Sequence, residues 1–589
     1  MAVNSFKQDE QSGSMKKTAL FLRLFHYLLD YKISLTMVCL IMAVTTAVSI
    51  INPLIMEAAV DNYIKPKDFS GLLRICLFAI CLNILLVVLI KLRIYIMAKI
   101  SNKVLVTIRQ ELYTHIQTLS FDFFDSRPTG KILARIIGDV NSLKGVISDT
   151  VTTLVPDFIT ICAVVTIMLV KNFKLALAAL SSLPLMMLCI CLIQHFSHIC
   201  WQVVRKKSSN LNAFTHENLS GIRIIQSFCA EDESNEMFDT LIDEHRKSWV
   251  KAILFSDAFG PSTDFCWGLG TMMLYFFGIK VLGKDAVSLG TYIAFASYIG
   301  MFWNPVMNLS NYYNQLITNL SGAERIFEII DTAPSITDTE DAHPLNNIKG
   351  DIVFNNVTFS YDKETDILHK LSFHVHPGET IALVGPTGAG KTTIVNLISR
   401  FYDLQTGDIL IDGHSINSIS LESLRSQMGV MPQDSYIFTG TVRDNIRYGN
   451  LDASEEEIIA AAKAVHADDF IRKLENGYDT ELKERGGGLS VGQKQLIAFA
   501  RTLLSKPKIL ILDEATSSID TKTEQLIQSG IETLLENRTA FVIAHRLSTI
   551  QNADRIFVID DGGIVEEGSA STLLAKHGAY YNLYMAQIS

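Results

Sequence analysis

Apolar and polar positions are unevenly distributed along this chain. Six stretches, near 34–56, 72–95, 151–170, 175–196, 258–282 and 290–314, are each long and apolar enough for a bilayer-crossing helix, which takes about 20 residues. Two long polar segments, 99–148 and 197–251, separate the second stretch from the third and the fourth from the fifth. In the first of them Ile108, Leu112, Ile116 and Leu119 recur at helical spacing, which predicts membrane helices that run on well past the bilayer. Ahead of the first span, 20–31 (LFLRLFHYLLDY) reads as an interfacial helix or as the cytosolic start of that span.

After 314 the pattern changes. Residues 331–349 are polar and contain two prolines, as a linker does. From 350 onward no spanning stretch remains, and short β-branched runs alternate with helical ones. The runs at 380–384, 509–512 and 540–544 each stop at a polar loop, the arrangement in which ligands gather at the carboxyl ends of parallel strands. The expected architecture is an all-α transmembrane domain of six long helices followed by an α/β domain. Its expected divisions are 1–32, 33–325, a linker at 326–349, and 350–589.

Charge orients the membrane part. Lys103, Arg109, Arg127, Lys131, Arg135 and Lys144 lie in one long segment, and Arg205, Lys206, Lys207, Arg223, Arg246 and Lys247 in the other, whereas the connections near Asp61, Asn172 and Lys284 are short. The positive-inside rule places the long segments and both termini in the cytoplasm of a multi-pass plasma-membrane protein. Composition agrees with a membrane domain joined to a soluble one: 48% of the 589 residues are hydrophobic, yet 51 are basic and 61 acidic. The net charge of −10 argues against a nucleic-acid partner. The nine cysteines end at Cys266 without a CxxC pair and are expected to be small apolar packing residues. The polar first 15 residues do not form a secretory signal.

Gly385-Pro386-Thr387-Gly388-Ala389-Gly390-Lys391-Thr392, with Thr393 following, fits the phosphate-binding loop G-x-x-x-x-G-K-[ST] between a strand and a helix. Its glycines let backbone N–H groups turn toward phosphates, Lys391 reaches the β/γ oxygens and the Thr392 hydroxyl takes Mg²⁺. Asp513, ending the apolar run Ile509–Leu512, is placed for the Mg²⁺ shell, and Glu514 to polarise the attacking water. His545, just past 540–544, is placed for the γ-phosphate. ATP and Mg²⁺ are the expected cofactors.

Leu489-Ser490-Val491-Gly492-Gln493 lies between the phosphate loop and Asp513, and with it the soluble part resembles an ABC ATPase domain. That resemblance implies roles for Tyr361 (stacking on adenine), Gln433 (Mg²⁺ and coupling), Ser518–Asp520 (dimer-interface loop) and His545 (switch histidine). It also implies that two such domains sandwich two ATP molecules, each signature helix facing the partner's γ-phosphate through Ser490, Gly492 and Gln493, so the chain must dimerise. In the membrane half, the run from Phe123 to Arg135, followed by Asp139, resembles the exporter-type fold. The run from Glu217 to Phe228 resembles that family's coupling helix, which docks on the partner.

The family has glycine where Val491 stands and alanine and leucine where Ser518 and Ile519 stand. A branched side chain beside a phosphate adds bulk and stiffness. A competent base beside an altered signature resembles one half of a heterodimeric exporter whose partner is a different chain with a degenerate ATP site; the alternative is a homodimer that tolerates Val491. Asp157 and Asp264, in or beside spans, together with Trp267, Phe302 and Trp303, are candidates for contact with cationic amphipathic solutes, against a role in helix pairing or snorkelling. Export of drugs or lipids is the leading expectation. Import of a metal chelate, or an ATP-gated channel, are the others.

Overall fold

The computed structural model describes residues 17–282, 287–362, 365–513, 521–544 and 550–588. The chain divides into two compact units, one made of 5–116 and 130–332, the other chiefly of 333–589 together with 117–129.

The first unit is helical. A short helix, Lys17–Leu29, turns at Asp30–Tyr31 into Lys32–Ala59, so 20–31 is an element separate from the first span. Leu20, Leu24 and Leu28 bury one stripe of it while Leu22 and Phe25 stay exposed. Phe69–Thr118 is continuous over 50 residues, about 75 Å at 1.5 Å per residue, against a hydrocarbon core of about 30 Å. Its membrane end is only half-buried along one stripe, Leu72, Ile75, Ala79, Leu82 and Leu86, and its distal end buries Ile108, Leu112 and Ile116, as their spacing predicts. Four described helical segments, Lys32–Ile64, Phe69–Thr118, Thr129–Lys171 and Phe173–Ser220, are long and apolar enough to cross a membrane. The fifth and sixth predicted spans are helical at Phe259–Phe277 and Leu289–Asp331. Among the described residues of the last, Leu289–Phe302 forms a shorter apolar stretch. The helix runs to Asp331, so residues 326–331, expected in the linker, are helical.

Two helices form the second long extension. Leu183–Ser220 runs out, Ile222–Ser227 turns, and Glu231–Asp257 runs back. Lys207 Nζ reaches Glu244 Oε2 at 2.5 Å, Trp201 packs edge-on to Trp249 at 5.3 Å, and Trp201 Nε1 donates to Ser256 Oγ at 3.1 Å. Partners drawing nearer together in sequence toward the tip define an antiparallel pair. In the other extension Arg325 clamps Asp139 through two bonds of 2.9 and 2.7 Å, and Arg135 adds a third at 3.0 Å.

Among the described residues the second unit has twelve strands: β1 (Ile352–Phe359), β2 (Leu368–Val375), β3 (Thr380–Val384), β4 (Thr406–Ile411), β5 (His414–Ser415), β6 (Met428–Met431), β7 (Gly440–Thr441), β8 (Glu481–Leu482), β9 (Ile509–Asp513), β10 (Thr539–Ile543), β11 (Arg555–Asp560) and β12 (Gly563–Gly568). The main sheet has the order β12-β11-β3-β10-β9-β6, parallel from β11 to β6. An antiparallel sheet, β2-β1-β4-β5, lies beside it in the same unit. Every residue of β3 and β10 is buried, as a strand covered on both faces requires. Each such Val, Leu or Ile contributes about 1.5–3 kcal/mol by leaving water.

Candidate functional site

The strand register assembles the site. Leu383 pairs with Ile543, Ile543 with Asp513, and Leu512 with Met431, so β3, β10, β9 and β6 stop at one edge of the sheet. The phosphate loop leaves β3 there, Asp513 closes β9, and Gln433 lies exposed two residues beyond β6. Glu514, Ser518, Ile519, Asp520 and His545 lie outside the described residues.

The loop from Gly385 to Gly390 needs glycine for two different reasons. A Cβ on Gly385 would sit 2.0 Å from the carbonyl oxygen of Ile559 in β11, so the loop lies directly on that strand. Gly388 has φ +89° and nothing within 4 Å on the side where a Cβ would project, so its backbone is open to an approaching group. Pro386, Thr387 and Ala389 complete the loop, and Gly390, at φ +105°, precedes the helix Lys391–Ile398. Thr392 is exposed on its first turn and Thr393 is buried.

Lys391 is only 8% exposed, and its ammonium donates to the carbonyls of Gly385 and Pro386, each at 2.8 Å. Burial pushes its pKa below that of an ordinary lysine, and the Asp513 carboxylate opposes that shift. A buried cation whose hydrogen bonds go to neutral carbonyls, on a loop open at Gly388, fits an anion of several oxygens. ATP phosphates suit this cradle.

Tyr361 is half exposed, and its hydroxyl lies 3.2 Å from Thr393 Oγ1. Its ring stands edge-on to Phe359 and Tyr402, both at 4.9 Å, which fixes an aromatic surface beside the phosphate loop. The signature serine begins the helix Val491–Leu504 with a capping box: Ser490 Oγ accepts from Gln493 N at 3.3 Å, and Ser490 N donates to Gln493 Oε1 at 2.9 Å. Gly492 is buried, whereas Val491 is 58% exposed on the first turn.

Two family models match: the ABC transporter transmembrane region at residues 35–306 and the ABC transporter at 368–517. Over 569 residues, 96% of this chain and 94% of the other, the sequence is 42% identical to the uncharacterized ABC transporter ATP-binding protein YknV of Bacillus subtilis. This chain is a member of the ABC transporter family. As an ABC half-transporter of the exporter type, it binds ATP and couples an ATPase to transport, and it implies a dimer partner. It is 41% identical over 495 residues, 84% of this chain and 82% of the other, to an ATP-dependent lipid A-core flippase of Syntrophus aciditrophicus. A solved bacterial Atm1-family ABC exporter with ATP bound superimposes with a TM-score of 0.79 at 29% identity, covering 95% of this chain and 98% of that one.

The ATPase unit of this ABC transporter includes residues 117–129, a piece of the first long polar segment. The short helix Phe121–Asp125 lies on it: Phe121 packs on Phe401 at 4.4 Å, Tyr402 donates its phenol hydrogen to Asp125, and Ser120 Oγ accepts from Ile336 N at 3.0 Å. Neither Phe401 nor Tyr402 belongs to a sequence motif, and only the aromatic pair after the phosphate-loop helix hinted at them. At the tip of the second extension Ile224 and Phe228 are 65% and 80% exposed.

The candidates for solute contact do not behave alike. Asp157 accepts from Asn308 Nδ2 at 2.9 Å, which ties two membrane helices, while Asp264 and Trp267 are exposed. Phe302 is 8% exposed in the helical core, which corrects its placement on a solute surface: these helices are apolar all round, so composition cannot tell their core face from an open one. The side chain of Trp303 lies outside the described residues. The cysteines need the same correction. Cys39, Cys76, Cys81, Cys162 and Cys191 are exposed on membrane helices, Cys229 is exposed at the tip of the second extension, and of the nine only Cys266 is buried, because a helix surface can be apolar without being packed.

Proposed function

We propose that this half-transporter exports amphipathic lipids or drugs, working in the plasma membrane with a different chain whose ATP site is degenerate. The observation that carries the pairing is Val491, 58% exposed on the first turn of a signature helix, in a chain whose sequence retains Glu514. A branched side chain there adds bulk where an opposing nucleotide is expected, whereas this chain's own phosphate loop has no such obstacle. The lipid A-core flippase supports an amphipathic substrate.

In this reading the Tyr361 ring stacks on adenine, and the loop N–H groups and Lys391 orient the β- and γ-phosphates. Thr392, Gln433 and Asp513 hold Mg²⁺, which neutralises developing charge. Glu514 takes a proton from the attacking water, and His545 steadies the γ-phosphate. Asp157, Asp264 and Trp267 meet the solute, Asp157 through the face shared with Asn308. The exposed Ile224–Phe228 tip docks on the partner's ATPase domain.

The test is ATPase and vesicle transport of the purified chain, alone and with candidate partners, beside Glu514→Gln. The pair is expected to turn over and the single chain not. Full activity from the chain alone refutes the unequal dimer, and uptake in place of export refutes the direction.

A further inference from the structure

Asp351, immediately before β1, and His374 and His376, at the end of β2 and just beyond it, bring three metal-ligating groups of two kinds to one exposed corner of the antiparallel sheet. Ile352 pairs with Val375, and Val375 is fully buried, so the histidines on either side of it face outward together. His374 Nε2 lies 2.8 Å and His376 Nδ1 3.9 Å from Asp351 Oδ1, the two imidazoles are 4.3 Å apart, and one donor atom from each residue falls within 4.8 Å of the others. Donors around a tetrahedral zinc stand about 3.3 Å apart, given bonds of about 2.0–2.1 Å, so small side-chain rotations close the set.

The backbones are held in place independently of the side chains. Asp351 N donates to Asp412 Oδ1 at 2.9 Å and its carbonyl accepts from Asp412 N at 2.8 Å. Arg555 Nη1 donates to the carbonyl of His374 at 3.0 Å, and His376 N donates to Glu379 Oε2 at 3.0 Å. The neighbouring cation does not oppose a metal ion, because Arg555 is itself paired with Glu379 at 2.8 Å and with Glu567.

We propose that Asp351, His374 and His376 bind one zinc ion. Both imidazoles bind in the neutral form, His374 through Nε2 with its proton on Nδ1, and its hydrogen bond to Asp351 gives way to the metal. Water completes the shell at this open corner. The ion clips the start of β1 to the Pro377–Gly378 turn that opens β3, the strand whose other end becomes the phosphate loop.

The test is equilibrium dialysis of the full chain in detergent, without a histidine tag, against Zn²⁺, beside a His374→Ala/His376→Ala double variant and the milder His376→Gln. The wild type is expected to retain one more zinc per chain than the double variant, with affinity at least about tenfold higher. Co²⁺ in place of zinc is expected to give a visible spectrum in the wild type that His376→Gln changes. Equal zinc binding by wild type and double variant overturns the site, as does zinc bound by neither, or a cobalt spectrum that His376→Gln leaves unchanged.

Discussion

Tyr402 donates its phenol hydrogen to Asp125 across 277 residues of sequence, while its ring stands edge-on to Tyr361 at 4.9 Å. One side chain thus touches both the aromatic surface beside the phosphate loop and the helix Phe121–Asp125. Burial, and then the bond to Asp125, push the phenol well above its usual pKa, so it remains a protonated donor throughout the working pH range.

Tyr402→Phe keeps the ring and removes the donor. It is expected to cost about 1 kcal/mol of docking, which is about fivefold more frequent opening of Phe121–Asp125. Hydrogen exchange of amides 121–126 measures this directly; unchanged exchange shows that Phe121 on Phe401 holds the helix without the hydroxyl.

Lys391 links nucleotide affinity to pH. Burial disfavours its charged form, and bound phosphates favour it, so binding draws a proton toward the site as pH rises. ATP affinity is therefore expected to fall on the alkaline side, beginning at lower pH than an ordinary lysine dictates. Lys391→Met weakens binding at every pH and abolishes that alkaline decline, as titration with a fluorescent ATP analogue would show.

Val491→Gly tests which ATP the signature serves. Val491 is exposed and the capping box does not use its side chain, so the change is expected to cost no more than about 1 kcal/mol of stability. In the unequal dimer, hydrolysis is expected to change less than about twofold, because the site it faces lacks a base. A severalfold rise in steady-state ATPase points to a homodimer.

Asp157→Asn and Asp264→Asn probe the membrane half. If both meet solute, efflux of cationic dyes from vesicles falls in each variant while basal ATPase persists. Asp157→Asn can still pair with Asn308, so its fold is expected to survive. Unchanged efflux in the double variant removes both residues from the solute path.

The nucleotide site was legible because its chemistry is local. The phosphate loop, the Ser490–Gln493 turn and Asp513 each sit within a few consecutive residues, and buried strands place the phosphate loop and Asp513 at one edge. Tyr402 with Asp125, and Arg325 with Asp139, were not legible, because no periodicity joins residues so far apart. Phe302 was misplaced for another reason: in a helix apolar on every side, hydrophobicity does not choose a core face. The end of the last membrane helix was hidden because residues 315–331 continue it as an amphipathic stretch, burying Leu320, Ile326 and Phe327 between polar and charged residues, rather than as an apolar span.

The docked helix Phe121–Asp125 bears on how this motor can be handled as a module. A fragment begun at Gly350, where the composition changes, would part Phe401 and Tyr402 from the residues that cover them and would discard the 333–349 segment anchored on Ser120. Its freshly bared aromatic face makes such a fragment prone to self-association, and exchanging motors between relatives calls for moving 117–129 along with the rest.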